Sequence, residues 1–132
     1  MSVLIDPDNT YYVLGVDAMD HTHQEFIDLV NQLSTATDKM EFIKLFARLI
    51  EHTESHFESE NLLMQESGFA AIQEHKAEHL RVLGELHRFG KKVTAGSIMM
   101  GRAYVEEQLP GWFELHAGTM DSALAAHLKA LQ

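Results

Sequence analysis

Two short stretches carry residues whose types and spacing can do chemistry: His56-Phe57-Glu58-Ser59-Glu60 and His75-Lys76-Ala77-Glu78-His79. Each sets its outer residues four apart, and four residues advance an α-helix by about 400°. An imidazole and a carboxylate, and then two imidazoles, therefore project from one face a turn apart. Such donors, nitrogen and hard oxygen without sulfur, suit iron, manganese, zinc or copper. A third spacing is less regular. His116 and Asp121 are five apart, about 140° off one face of a continuous helix. Gly118 between them is expected to break the helix and let Asp121 turn back toward the core; the alternative is that Asp121 only caps a terminal helix.

These residues need helices to carry them. Residues 1 to about 16 contain the turn formers Pro7, Asp8, Asn9 and Gly15 and read as an extended arm lying across the domain. Asp17 or Asp20 is expected to cap the first helix, striped by Val16, Met19, His23, Phe26, Val30 and Leu33. Residues 34–38 break it, and a second helix runs from about 39 to 67, ending on Gly68. Its stripe is Phe42, Leu45, Leu49, His52 or Thr53, His56, Glu60 and Leu63. The third starts near Ala70, with Ile72, His75, His79, Val82, Leu86 and Phe89 in the same rhythm, and is expected to stop at Gly90. That leaves 91–96 as a long connection.

A fourth helix is striped by Ile98, Val105, Leu109, Trp112 and His116, with a kink expected at Pro110 and an end at Gly118. A short terminal helix from about 119 to 131 closes the chain. No segment alternates with a period of two. The fold class expected is all-α: an up-down-up-down four-helix bundle over residues 17–132, with the N-terminal arm 1–16 and a short C-terminal helix, in a single domain.

His23, His56, His75, His79 and His116 all fall at stripe positions, and every main helix contributes at least one. One histidine on an apolar stripe is most often a hydrogen-bonded core residue. Five beside an acid are different, because each buried polar group left without a partner costs about 1–3 kcal/mol. Glu60 sharpens the point: a carboxylate on a core stripe needs a partner, and no Lys or Arg lies on the central part of any stripe. Five histidines and two carboxylates exceed one ion's needs, whereas two ions bridged by Glu60 and Asp121 use all seven.

Composition removes several classes. With no cysteine, the chain has no disulfide, zinc-thiolate site, iron–sulfur cluster or thiol nucleophile. A formal net charge of −10 and no basic run longer than Lys91-Lys92 argue against nucleic-acid binding and anionic membrane surfaces. No basic region followed by an apolar stretch marks a signal peptide, and no window has the apolar length of a membrane span. A soluble, cytoplasmic protein without membrane insertion is expected.

The ordered set of His23 shortly after Met19-Asp20, His56-Phe57-x-x-Glu60, His75-x-x-x-His79 and Trp112-x-x-x-His116-x-x-x-x-Asp121 resembles the hemerythrins, specifically the single-domain bacteriohemerythrins. The resemblance implies a non-haem di-iron centre. His75, His79 and His116 would hold one iron and His23 and His56 the other. Glu60 and Asp121 would bridge them together with an oxo or hydroxo group. It implies O2 as the ligand, bound reversibly at the open two-histidine iron, in an apolar pocket of Phe57 and Trp112. Helical spacing adds Phe26 and Phe113 to that pocket, where all four aromatics also pack the core. Four positions depart from the usual pattern: Thr22, His52, Asn61 and Ala117, the last expected to enlarge the pocket. His21, His87 and His127 are assigned to surface or near-surface positions.

The function expected is reversible O2 binding for storage, transport or delivery in the cell, and not enzymatic turnover. An end at Gln132 without a fused output domain favours a free-standing carrier. An O2 or NO sensor module, and a di-iron enzyme processing peroxide or NO, remain as alternatives. An O2-consuming recipient is unidentified, and both monomer and homo-oligomer are open.

Overall fold

The computed structural model describes residues 4–132, so residues 1–3 of the expected arm lie outside the described residues. The described chain is helical, without strands: α1 (Asp17–Thr35), α2 (Lys39–Ser67), α3 (Ile72–Thr94), α4 (Ile98–Glu107), α5 (Leu109–His116), a π-helical turn (Ala117–Asp121) and α6 (Ser122–Ala130). α1, α2 and α3 are three members of a four-helix bundle, and α4 to α6 together form the fourth. No described helix is long and apolar enough to cross a membrane.

The helix ends follow local chemistry. The Asp38 carboxylate accepts the Glu41 N–H at 3.1 Å and starts α2. Gly68, at φ 68°, ends it in the left-handed region, with the Phe69 N–H on the Met64 carbonyl. At α1 the expected cap is corrected. Val16 holds the cap position and has no side-chain acceptor. Asp20 reaches back instead, accepting the Leu14 and Gly15 N–H groups at 2.6 and 3.1 Å, and so folds the arm onto the first turn. Farther out, Asn31 accepts from the Leu4 and Ile5 N–H groups and donates to the Ile5 carbonyl, which seats Ile5 in the core.

α3 does not stop at Gly90. It runs four residues farther to Thr94, and the left-handed Gly96, at φ 104°, terminates it. Gly90 serves packing: a Cβ there would sit 2.7 Å from the Ile50 Cδ1 of α2. The break in the last helix falls at Gln108, at φ −112° and ψ −44°, and not at Pro110. Pro110 occupies the first turn of α5, where the N–H it lacks has no intrahelical partner.

The buried faces are largely the expected stripes, joined by Ile27, Phe46 and Met64, while Leu63 is only half-buried. They form two apolar bodies. The larger contains Phe26, Leu49, Phe57, Val82, Phe113 and Ala117; the smaller is Met19, Met64, Leu124 and Ala125. His23, Glu60 and Asp121 lie between these bodies in sequence on every helix that carries them, so the polar residues occupy one layer with apolar material on both sides.

Candidate metal centre

The structure brings all seven candidate residues into that layer. His23, His56, His75, His79 and His116 are 1–5% exposed, Glu60 is 2% and Asp121 0% exposed. α1 supplies His23, α2 His56 and Glu60, α3 His75 and His79, and the fourth helix His116 and Asp121.

Asp121 gets there in a way the spacing did not anticipate. Gly118 does not break the helix. Residues 117–121 wind as a π-helical turn, in which the Ser122 N–H bonds the Ala117 carbonyl five residues back. An i→i+5 repeat matches the five-residue separation of His116 and Asp121, so both face inward where an α-helix would splay them.

The two carboxylates sort the rings into two groups. Glu60 Oε2 lies 2.6 Å from His56 Nε2, and Asp121 Oδ2 lies 2.8 Å from His23 Nε2. The other two oxygens face the other three rings. Glu60 Oε1 is 3.2 Å from His75 Nε2 and 3.1 Å from His79 Nε2, while Asp121 Oδ1 is 3.2 Å from both His75 Nε2 and His116 Nε2. Each carboxylate thus offers one oxygen to a two-histidine side and one to a three-histidine side. Donor atoms of Glu60, His75, His79 and His116 lie within 4.8 Å of one another, as do those of His23, His56 and Glu60.

The donor set fits metal ions. Glu60 Oε1, Asp121 Oδ1 and the Nε2 atoms of His75, His79 and His116 are buried and make no aligned hydrogen bond, despite separations near 3.2 Å. These ring nitrogens and carboxylate oxygens converge on a common region of the layer. Five such orphans would cost several kcal/mol at about 1–3 each, and a bound cation removes that cost. Burial would raise Glu60 and Asp121, but the surrounding imidazoles hold both carboxyls well below their usual range, so both stay charged. Burial likewise lowers His75, yet the Asp121 and Glu60 carboxylates outweigh it and push that ring up to about 9.

Neighbouring groups set ring orientation. The His23 Nδ1–H donates to the Tyr12 carbonyl at 3.1 Å, so the arm touches the centre directly. The His79 Nδ1–H donates to Asn61 Oδ1 at 3.0 Å. Neither partnership was read from the sequence: a backbone acceptor leaves no side-chain signal, and Asn61 registered only as a departure from pattern. His52, the other departure on α2, is half-buried and donates from Nε2 to the Thr22 carbonyl at 3.2 Å, which ties α2 to α1 beside His56.

The four aromatics stand on one side of the centre. Phe57 stacks on His79 at 3.8 Å, Trp112 on His116 at 4.8 Å, and Phe113 meets His23 edge-on at 5.2 Å. Phe26 stacks on Phe113 at 4.8 Å and lies 6.2 Å from Trp112. Trp112 donates its indole N–H to Glu78 at 2.9 Å, which pins the outer ring of this wall. Ala117 is fully buried in the same apolar body as Phe26, Phe57 and Phe113. Of the remaining histidines, His21 and His87 are exposed, and His127 is half-buried with its Nε2–H on the Ser67 carbonyl.

Comparison with known proteins identifies the family. The model of the hemerythrin HHE cation binding domain matches residues 14–129. The chain belongs to the hemerythrin family. It is 33% identical over 115 residues to a bacteriohemerythrin of Ralstonia nicotianae, covering 87% of this chain and 82% of that one. A bacteriohemerythrin of Aquifex aeolicus is 31% identical over 133 residues, with 96% and 98% covered. A crystal structure of a hemerythrin mutant with leucine replaced by alanine superposes with a TM-score of 0.84 at 26% identity, covering 96% of this chain and 98% of that one. Membership supports a non-haem di-iron, O2-binding hemerythrin domain, and the histidine–carboxylate cluster is compatible with two irons.

Proposed function

We propose that this hemerythrin binds O2 reversibly at a di-iron centre, for oxygen storage, transport or delivery within the cell, without catalytic turnover. The observation that carries the reading is the sorting of the carboxylate oxygens, one from Glu60 and one from Asp121 toward each group of rings. His75, His79 and His116 would hold one iron, His23 and His56 the other, with both carboxylates shared. Ferrous ions held there would supply the electrons for reversible O2 binding.

The side chains do the rest. With five neutral donors and only two carboxylates, the set is less electron-donating than a carboxylate-rich site, which favours binding over O–O cleavage. Phe26, Phe57 and Phe113 are about 2% exposed and, with Trp112, present an apolar wall that excludes water and slows proton delivery to the pocket. The hydrogen bond from His23 to the Tyr12 carbonyl fixes Nε2 as that ring's donor atom. The same bond favours one second reading, an O2 or NO sensor that signals through the arm, because a change at His23 is felt directly at Tyr12.

The test is optical. The protein is reduced without air and cycled between oxygen and argon while its visible charge-transfer band is followed. A band that forms and vanishes over repeated cycles is the expected result. Immediate decay to a permanently oxidised form would refute the carrier reading. Metal analysis finding no iron, or one ion per chain, would remove the di-iron centre altogether.

A further inference from the structure

Every ring of the cluster has an outer nitrogen, Nδ1, and the protein treats the five unequally. The Nδ1–H of His23 goes to the Tyr12 backbone carbonyl, and that of His79 goes to Asn61 Oδ1 at 3.0 Å. The Nδ1 atoms of His56, His75 and His116 are buried without a protein partner. Among the described residues, Asn61 is therefore the one side chain that accepts a hydrogen bond from the outer nitrogen of a cluster ring.

We propose that Asn61 is a positioning residue that fixes the tautomer of His79 and, being neutral, limits the electron donation of that ring, keeping the reduction potential of the metal centre high. The proposal rests on the di-iron reading above. An amide oxygen carries no proton, so this bond exists only when Nδ1 holds the hydrogen, which leaves the Nε2 lone pair facing Glu60 Oε1, 3.1 Å away. Phe57 stacks on the same ring at 3.8 Å and an interplanar angle of 7°, so the ring plane is already held. What stacking cannot distinguish is a flip of the ring within that plane, and Asn61 supplies the distinction.

The neutrality of the acceptor has its own consequence. A carboxylate in this place would form a charge-assisted bond about twice as strong. It would draw on the Nδ1 proton, make Nε2 more basic and stabilise ferric over ferrous iron. The site tolerates that exchange. Asn61 is half-buried and opens onto a groove between α2 and α3 shared with Glu54, Glu58, Lys76 and Leu80, so a charge there is hydrated.

The experiment compares Asn61→Asp and Asn61→Leu with the parent. Iron per chain and ferrous affinity are read by competition with a chromogenic chelator, and midpoint potential by spectroelectrochemistry. Asn61→Asp is expected to keep two irons and lower the potential; a tenfold shift toward ferric iron is about 59 mV for a one-electron step. Asn61→Leu is expected to weaken binding of one iron by about 10–100-fold, the usual effect of losing an outer hydrogen-bond partner. A potential unchanged or raised in Asn61→Asp overturns the proposal, as does full affinity in a folded Asn61→Leu. If circular dichroism shows Asn61→Leu unfolded, the potential of Asn61→Asp decides alone. A parent protein that takes up fewer than two irons would instead refute the underlying di-iron reading, so the two failures are separable.

Discussion

Replacing Glu60 tests the centre at one of its two shared carboxylates, each of which faces three rings. In Glu60→Ala both carboxylate oxygens vanish, and three rings lose their neighbour: His56 at 2.6 Å, His79 at 3.1 Å and His75 at 3.2 Å. The three-histidine side keeps three imidazoles and Asp121 Oδ1, enough for one ion. The two-histidine side keeps only His23, His56 and Asp121 Oδ2. Iron should fall from two to one per chain, with affinity for the second ion down more than about 100-fold, above the range for losing an outer partner. The metal-free fold should suffer too, because removing one member of a buried charged pair costs about 3–5 kcal/mol out of a typical total of about 5–15. Iron analysis after anaerobic reconstitution reads the first effect, and urea denaturation of the chelated protein the second. Glu60→Gln keeps the volume and one acceptor oxygen, so it should fold better than the alanine variant while still losing iron. Retention of two irons by Glu60→Ala would eliminate it as a bridge, and a stability change below about 1 kcal/mol would eliminate the buried pairing.

His127→Ala, which removes the bond to the Ser67 carbonyl and the ring contact with Phe69, should keep both irons; loss of either would mean that the end of α6 also holds the centre. In Gly118→Ala the new methyl would overlap the Tyr11 hydroxyl, and overpacking of this kind costs about 1–3 kcal/mol. Since half-exposed Tyr11 is the obstacle, most of the loss should disappear in a Tyr11→Ala background, and strict additivity in that double-mutant cycle would rule the contact out. Protons and metal compete for the His75 ring, which is pushed up to about 9 in the metal-free protein. A raised pKa stabilises the fold below the unfolded value of 6.5 and loses that contribution as pH rises through about 9. The denaturation midpoint of metal-free protein should therefore drop between those limits, and calorimetry in buffers of different ionisation heat should show protons released on iron uptake at pH 7. A flat stability profile and no proton release would contradict that protonation state.

What could be read from the residues alone was governed by periodicity. His56, Glu60, His75 and His79 sit at i, i+4 spacing on unbroken α-helices, and there sequence distance converts directly into a shared face. Glu60 was decisive, since a carboxylate on a core stripe with no cation near it needs a partner of another kind. Legibility failed where the backbone left that period or where glycine had more than one use. Gly90 and Gly118 both read as helix stops, yet Gly90 admits Ile50 of α2 and Gly118 admits Tyr11 of the arm. Close approach and termination leave the same letter in the sequence. Asp20 read as a cap and proved to hold the arm, because an acid in a first turn can reach forward to the helix or back to the chain before it.

The π-helical turn connects folding to the metal site. An insertion of this kind is rare and gives up regular i→i+4 bonding, so it persists where something else holds it. Here the other holdings are visible. Tyr11 of the arm packs against it at Gly118, Lys129 reaches from α6 to the Leu14 carbonyl, and Asp121 projects from its end to His23, His75 and His116. Asp121 is the residue that needs the turn, and the ions that Asp121 would bridge reward it for being there. Iron held by Asp121 would then stabilise one conformation of residues 117–121 from one side, and the arm, through Tyr11 against Gly118, holds it from the other. Their removal should be mutually reinforcing. A protein stripped of iron should lose hydrogen-exchange protection first in that turn and in the arm, while α2 and the part of α3 beyond His79, where Val82 and Leu86 pack in the larger apolar body, stay protected. Uniform loss across all four helices would show that the centre holds the bundle as a whole and not this turn.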